Sequence, residues 1–344
     1  MKNVITKLEN HPAVRFGLPV LAVVGCTLLF LFGISYFGGT YTYTAIGFLL
    51  LIAGYFCGWR VLGVVVTLSI AFILIAGPYI VVPGVQWAES AGASYSLSNS
   101  FLYHSSDDPG PVQLRTEYRL DDVIKGIEDE FQQVAALAGW VNSRWSHSGS
   151  NTPSSRNPLV ILEEAAEVAS FRCVEYSLVM VGAAQSLGMP ARMVGLKTRH
   201  AATARSGAGH VVAEIWLDDL EKWAVADPQL GYVFMADGIP LNAVELGESL
   251  AEGPGSVEVL SADGPVNWYR KNRYLVFVGP YLYYFDSPYD QRLFLAEQER
   301  KMDRMMLAPE GSPELKVFQR EHQFKADYFT SSVDAFYVAP ETVW

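Results

Sequence analysis

The sequence predicts an α+β fold, a mixed domain of helices and strands carried behind apolar N-terminal helices. Three observations carry that prediction. Apolar runs fill the first 83 residues, a segment with clear helix end signals covers residues 173–188, and two short strand-like stretches flank an acidic turn at 210–217 and 222–226. A chain of 344 residues has room for two or three such units at about 150 residues per domain.

The apolar runs are Phe16 to Phe37, Tyr41 to Gly58, and Val61 to about Val82, each about 18 to 23 residues long. At about 1.5 Å per helical residue, each suits a hydrocarbon core about 30 Å thick. The second run is the shortest and is rich in glycine and aromatics, so a two-span arrangement stays open. A signal peptide is the alternative for the first run, but that run exceeds an h-region and further apolar runs follow at once. Lys2, Lys7 and Arg15 precede the first run, Arg60 separates the second from the third, and Gly38-Gly39-Thr40 is uncharged. Positive charge therefore assigns the N-terminus and the second loop to the cytoplasm, and three spans carry the C-terminal domain out of it. The expected organisation is membrane helices over 1–83, a lead-in over 84–119, a core domain over 120–235, and an extension of mixed strands and helix over 236–344.

The lead-in is rich in Ser, Gly, Pro and Asp, including Ser105-Ser-Asp-Asp-Pro-Gly-Pro111, and reads as a linker or a loosely packed entry. Asp121-Asp122 caps a helix expected to run to about Arg144, with Val123, Ile127, Phe131, Val134 and Leu137 at helical spacing. Residues 146–155 read as a polar loop, where His147 is most simply a solvated histidine. Pro158 to Glu167 reads as a short helix leading to Cys173, whose own helix ends at Gly188 before Pro190. Strands are expected at Ala191–Leu196, His210–Leu217 and Lys222–Ala226, the last two as a hairpin about Asp218–Glu221. Residues two apart share a strand face, so Glu214 follows His210 on one side and reads as a supporting or structural group. The small-residue loop between Thr198 and Gly209 is expected to wall a groove and to be mobile. Further on, 238–245 starts a short helix, Tyr274 to Phe285 has strand character broken by Pro280, and Arg292 to Met306 is helix-compatible.

The chemistry lies in three residues. A cysteine in a helix's first turn feels the positive end of the helix dipole, which favours a thiolate. Such a nucleophile needs an imidazole to move protons and a carboxylate to orient it, and Cys173, His210 and Asp227 arrive in that order. Singly, each has a structural reading: a small buried hydrophobe, a half-buried strand histidine, and a turn residue before Pro228. Together with Phe-Arg-Cys173-Val-Glu, Leu187-Gly-Met-Pro-Ala-Arg192, Gly-His210-Val-Val-Ala-Glu-Ile-Trp216 and Lys-Trp223-Ala-Val-Ala-Asp227, the chain resembles the transglutaminase-like superfamily. The match extends from about Val134 to Tyr232.

That resemblance implies a papain-like α+β core and thiol acyl-transfer chemistry at Cys173, His210 and Asp227. It also implies an amide substrate carried by a protein, peptide or glycoprotein. An oxyanion donor is expected from the Cys173 backbone N–H, with an upstream side chain as the second; Trp140 and Trp145 are available by position, although each reads more simply as core packing. Hydrolysis is favoured over cross-linking because no amine site is legible. The contrasting reading keeps the fold as an inactive binding or scaffolding module of the cell envelope. A third possibility is assembly with a partner through the membrane spans.

The net charge of −11 opposes nucleic-acid binding, which calls for basic patches. No zinc-type Cys/His spacing, phosphate loop or nucleophile elbow is present, so no cofactor is implied. Cys26 and Cys57 fall inside apolar runs, leaving the exported domain one cysteine and no internal disulfide. A lone thiol in an oxidising compartment is a liability unless it is used.

Overall fold

The computed structural model describes residues 85–88, 101–168, 170–301 and 303–340. The expected membrane spans over 1–83, with Cys26 and Cys57, lie outside those residues. Among the described residues no helix is long and apolar enough to cross a membrane.

The lead-in is packed from Phe101 onward. Phe101 is buried, and α1 (Pro109–Glu117) buries Pro111 and Leu114. The single helix expected from Asp121 to about Arg144 is two, α2 (Leu120–Ile124) and α3 (Glu130–Asn142). The break has a local cause: Gly126 takes φ 78°, and the Asp129 side chain accepts from the Gln132 N–H at 2.8 Å, capping a new helix. Then follow β1 (Ser146–His147), α4 (Pro158–Val168), β2 (Ser170–Phe171) and α5 (Cys173–Ser186). Strands β3 (Ala191–Lys197), β4 (Gly209–Leu217), β5 (Lys222–Asp227), β6 (Tyr232–Ala236) and β7 (Ile239–Pro240) come next, before α6 (Ala243–Glu252).

After α6 come β8 (Glu258–Ser261), β9 (Gly264–Pro265) and α7 (Trp268–Val278). The chain closes with β10 (Tyr284–Pro288), β11 (Arg304–Leu307), β12 (Val317–Phe318), β13 (His322–Gln323), β14 (Tyr328–Thr330) and α8 (Val333–Phe336). Two expectations are corrected here. Residues 274–278 are helical, because Asn267 caps α7 by accepting from the Arg270 N–H at 3.0 Å and Tyr274, Leu275 and Val278 bury one helical stripe. The segment 292–306 contains a short 3₁₀ turn at Glu297–Glu299 and then strand β11, because Met305, Met306 and Leu307 are buried beside β10.

Ten strands form one sheet in the order β14-β11-β10-β3-β4-β5-β6-β8-β9, with β7 beside β6. Two large apolar cores lie against it, and a third, small cluster gathers Ala201, Ala208 and Leu315 on Tyr284 and Met306 of β10 and β11. Of the two large cores, one gathers α1, α3, α4 and α5 with Ala213, Ile215 and Ala224; the other gathers α6, α7 and α8 with Val194, Val212 and Val225. The alternation of β4 and β5 between these cores is the period-two signature of a strand with packing on both faces. At the sheet's middle, Gly195 on β3 leaves room for Asp286 of β10, whose Oδ1 would stand 2.5 Å from an added Cβ. Asp286 pairs there with Lys197 and Arg304.

Glu214 is fully buried and structural. Its Oε2 accepts from Arg192 Nε and Nη2 at 3.0 and 2.8 Å, and its Oε1 accepts from the Ala243 N–H at 2.9 Å and Tyr337 Oη at 2.8 Å. The Arg192 guanidinium lies over Trp223, Phe336 and Tyr337 at 4.5, 4.7 and 4.8 Å. Removing one member of a buried, satisfied ion pair strands the other. Glu214→Ala is therefore expected to destabilise the domain by about 3–5 kcal/mol in urea unfolding; a loss within about 0.5 kcal/mol, typical of a surface position, would contradict this account.

Candidate active site

Helix α5 is buried along its length from Glu175 to Ser186 and reaches solvent only at its first turn, where Cys173 is half-buried. Its end is set by Glu175, whose Oε2 accepts from the Arg172 N–H at 3.0 Å while Oε1 binds the Arg172 guanidinium at 2.6 Å. One turn on, Ser177 Oγ lies 3.0 Å from the Val211 carbonyl and 3.1 Å from that of Cys173. This contact seats the start of α5 beside the start of β4, next to His210.

The β4–β5 hairpin forms as expected, with Ala213 opposite Ala226 and Leu217 opposite Lys222. Asp227, one residue beyond Ala226, continues that register to a place diagonal to His210 on the same face, a separation side chains can span. His210 Nε2 and Asp227 Oδ2 are 2.7 Å apart, and both residues are buried. Burial works to lower the His210 pKa, but Asp227, by charge and hydrogen bond, and then Cys173 outweigh it and push it up to about 10. With Nε2 committed to the carboxylate, Nδ1 is the ring atom left to exchange a proton with the thiol.

Three further groups bear on the site. Tyr274 Oη donates to the same Asp227 Oδ2 at 3.0 Å, and the Gln229 N–H donates to Oδ1 at 3.1 Å, so the carboxylate is held on both oxygens. The Phe277 ring meets that of His210 edge-on at 5.2 Å. Tyr281 lies 6.1 Å from His210 ring to ring, and burial and then the neighbouring Cys173 raise its phenol pKa. Sequence reasoning missed all three, having read 274–285 as strand; the available signal was Asn267 standing before a run with Tyr274 and Val278 four apart.

His147 is exposed, as expected of a solvated histidine, but on a short strand and not in a loop. It lies on β1, parallel to β2 and opposite Phe171, two residues before Cys173. Burial and then the His210 charge lower its pKa, which marks its electrostatic proximity to the pair. Trp145 is buried, its ring centred 4.4 Å from that of Tyr176, and its indole N–H has no partner among the described residues. Trp140 is half-buried beneath Arg144. His104 serves the fold, its Nδ1 lying 2.7 Å from Asp108 and its Nε2 accepting from the Phe294 N–H. The loop before His210 is anchored by the Gln319 N–H donating to the Ala201 carbonyl at 2.7 Å and by Tyr281 Oη donating to the Gly207 carbonyl at 3.0 Å. A cavity of about 400 Å³ opens against the same loop at Arg199, His200, Tyr283 and Glu310, and none of Cys173, His210 and Asp227 lines it. Among the described residues no three His, Cys, Asp or Glu side chains gather as a metal site.

The His210 shift has a thermodynamic consequence. The folded state holds a proton on this imidazole that the unfolded chain releases above about 6.5, so the stabilisation is complete below that pH and is lost as pH rises through about 10. Urea-unfolding stability of the wild type should fall across this window more steeply than that of His210→Gln; parallel profiles would contradict the ion pair. Tyr274→Phe leaves a buried carboxylate lone pair without its phenol donor and should cost about 1–3 kcal/mol. A neutral result there would show that Asp227 does not depend on α7.

Residues 118–228 match the family model of the transglutaminase-like superfamily. No curated protein matches the chain. Among solved structures, a candidate cysteine protease from Cytophaga hutchinsonii is 14% identical with a TM-score of 0.29, covering 36% of this chain and 40% of that one. A candidate protease from Parabacteroides distasonis is 13% identical with a TM-score of 0.24, covering 54% of this chain and 40% of that one. The match therefore spans less than half the length of either solved chain.

Proposed function

We propose that this chain, which carries a transglutaminase-like superfamily domain at residues 118–228, is a membrane-anchored, extracytoplasmic thiol enzyme acting on an amide bond. The observation that carries the reading is a half-buried Cys173 at a helix start, near enough to the buried His210–Asp227 pair to raise the His210 pKa. The apolar runs before residue 83 and the cations beside them support the anchoring and the orientation.

In the proposed mechanism the Cys173 thiolate attacks the amide carbonyl carbon, forming a C–S bond and placing negative charge on oxygen. The imidazolium of His210 gives its proton to the amide nitrogen, the C–N bond breaks, and the amine departs from a thioester. Water then attacks the thioester, His210 accepts its proton, and the C–S bond breaks to release a carboxylic acid and restore the cysteine. Asp227 keeps the ring oriented and stabilises its cationic form. The Cys173 backbone N–H stands among the first-turn amides that a helix leaves without an internal acceptor, and the unpartnered Trp145 indole N–H supports that residue as the upstream second donor to the oxyanion. Hydrolysis is favoured over transfer, since no second amine-binding feature is legible in the chain.

The test is alkylation of the full chain by iodoacetamide at neutral pH, followed at the Cys173 peptide by mass spectrometry. Wild-type protein should react rapidly. His210→Ala should slow the reaction by about 30-fold, toward the few per cent ionisation of an unassisted thiol, and Asp227→Ala should slow it less. A wild-type Cys173 that is inert, or indifferent to His210, would assign the domain to a binding or scaffolding role.

A further inference from the structure

Acid is absent from the two segments that flank His210, in a chain that is acidic elsewhere. From Tyr176 through Ala213, and again from Gly264 through Phe285, the sequence has no Asp or Glu, against 36 in the whole chain. The first stretch contains the loop preceding His210; the second contains α7 and the turn after it. The two are tied together by the hydrogen bond from Tyr281 to Gly207, beside His210 and Cys173. Arg205 on the loop and Arg270 and Arg273 on α7 are exposed, Lys271 is half-buried, and none of the four forms an ion pair among the described residues.

Helix α7 also exposes apolar surface. Trp268 is 57% exposed, Tyr269 65%, Val276 37% and Phe277 39%. Residues four apart share a helix face, so Tyr269, Arg273 and Phe277 form one row whose last ring touches that of His210. The row is about 12 Å long at 1.5 Å per residue, the span of about four residues of extended peptide. Cations spaced among exposed aromatics, in a chain whose net charge is −11, make a local attractor rather than a generally sticky face.

We infer that this strip is the substrate-docking surface, and that it takes a peptide segment rich in Asp and Glu flanking the amide to be attacked. The inference rests on the thiol-enzyme reading and supplies its substrate class. Carboxylates of the segment meet Arg270, Arg273 and Arg205, while its apolar atoms lie on Tyr269 and Val276, which share that side of the helix; Lys271 and Trp268 lie off the row. The direction of the row selects a peptide over a lipid surface: it leads to His210, and a bilayer laid along it would cover the entrance that a substrate needs.

The experiment uses the full chain in neutral detergent, carrying Cys173→Ala so that ligands are bound and not turned over. Fluorescence anisotropy compares three labelled decapeptides alternating Gly with Glu, Gln or Lys. The Glu peptide should bind at least tenfold more tightly than the Gln peptide, weaken steeply with salt, and lose that preference in Arg205→Gln/Arg270→Gln/Arg273→Gln. Tyr269→Ala should weaken the Glu and Gln peptides alike. Equal binding of Glu and Gln peptides, a preference that survives the triple substitution, or binding confined to phosphatidylglycerol vesicles would overturn the inference. The underlying reading fails separately: an inert wild-type Cys173 alongside a selective Glu-peptide site would remove the enzyme and leave the docking surface.

Discussion

The contact on which the site depends is the 2.7 Å pairing of His210 with Asp227. Neither group is tolerated in a core alone. A buried carboxylate without partners, or a buried imidazolium without a counter-charge, costs several kcal/mol, whereas the pair with its remaining lone pairs filled does not. The structure fills them from two directions, with the Gln229 backbone from the turn after β5 and the Tyr274 phenol from α7. Asn142 of α3 holds that turn in place by donating to the Gln229 carbonyl at 2.5 Å. Helices from both sides of the sheet thus converge on one carboxylate.

The arrangement separates support from reaction. Arg192 and Glu214 lock the sheet's interior with complete hydrogen bonding, farther along the strand that carries His210. Helix α5 is buried on all sides after its first turn, so its position is fixed by packing while Cys173 stays accessible. On the proposed reading, a nucleophile held this way needs little reordering to meet a substrate, which is the physical content of preorganisation. Charge follows the same division, with acid absent from residues 176–213 and 264–285 and spread over the rest of the described domain.

Much of this was legible residue by residue. Gly188, with φ 87°, and Pro190 mark the end of the Cys173 helix; alternation marks β4; the acidic turn before Lys222 marks the hairpin. These signals act within about ten residues, and backbone sterics and strand periodicity suffice to read them. Longer or ambiguous segments were not legible. The aromatic run at 274–285 fits helix and strand alike by composition, and only burial of Tyr274, Leu275 and Val278 on one stripe selects the helix. Likewise Met305 and Met306, placed in a helix-compatible charged segment, become strand because β10 offers them a partner.

Sequence by itself determined the order Cys173, His210, Asp227, the elements that bear them, and the hairpin register that makes His210 and Asp227 neighbours. Those follow from short-range covalent geometry and from the two-residue period of a strand. Tertiary structure alone decided that Tyr274, Phe277 and Tyr281 stand around the His210–Asp227 pair, that the exposed His147 lies near enough to feel its charge, and that a basic aromatic helix stands beside His210. Each of those contacts joins residues separated by tens of positions, and such contacts are chosen by what the whole core can bury, which no local pattern records.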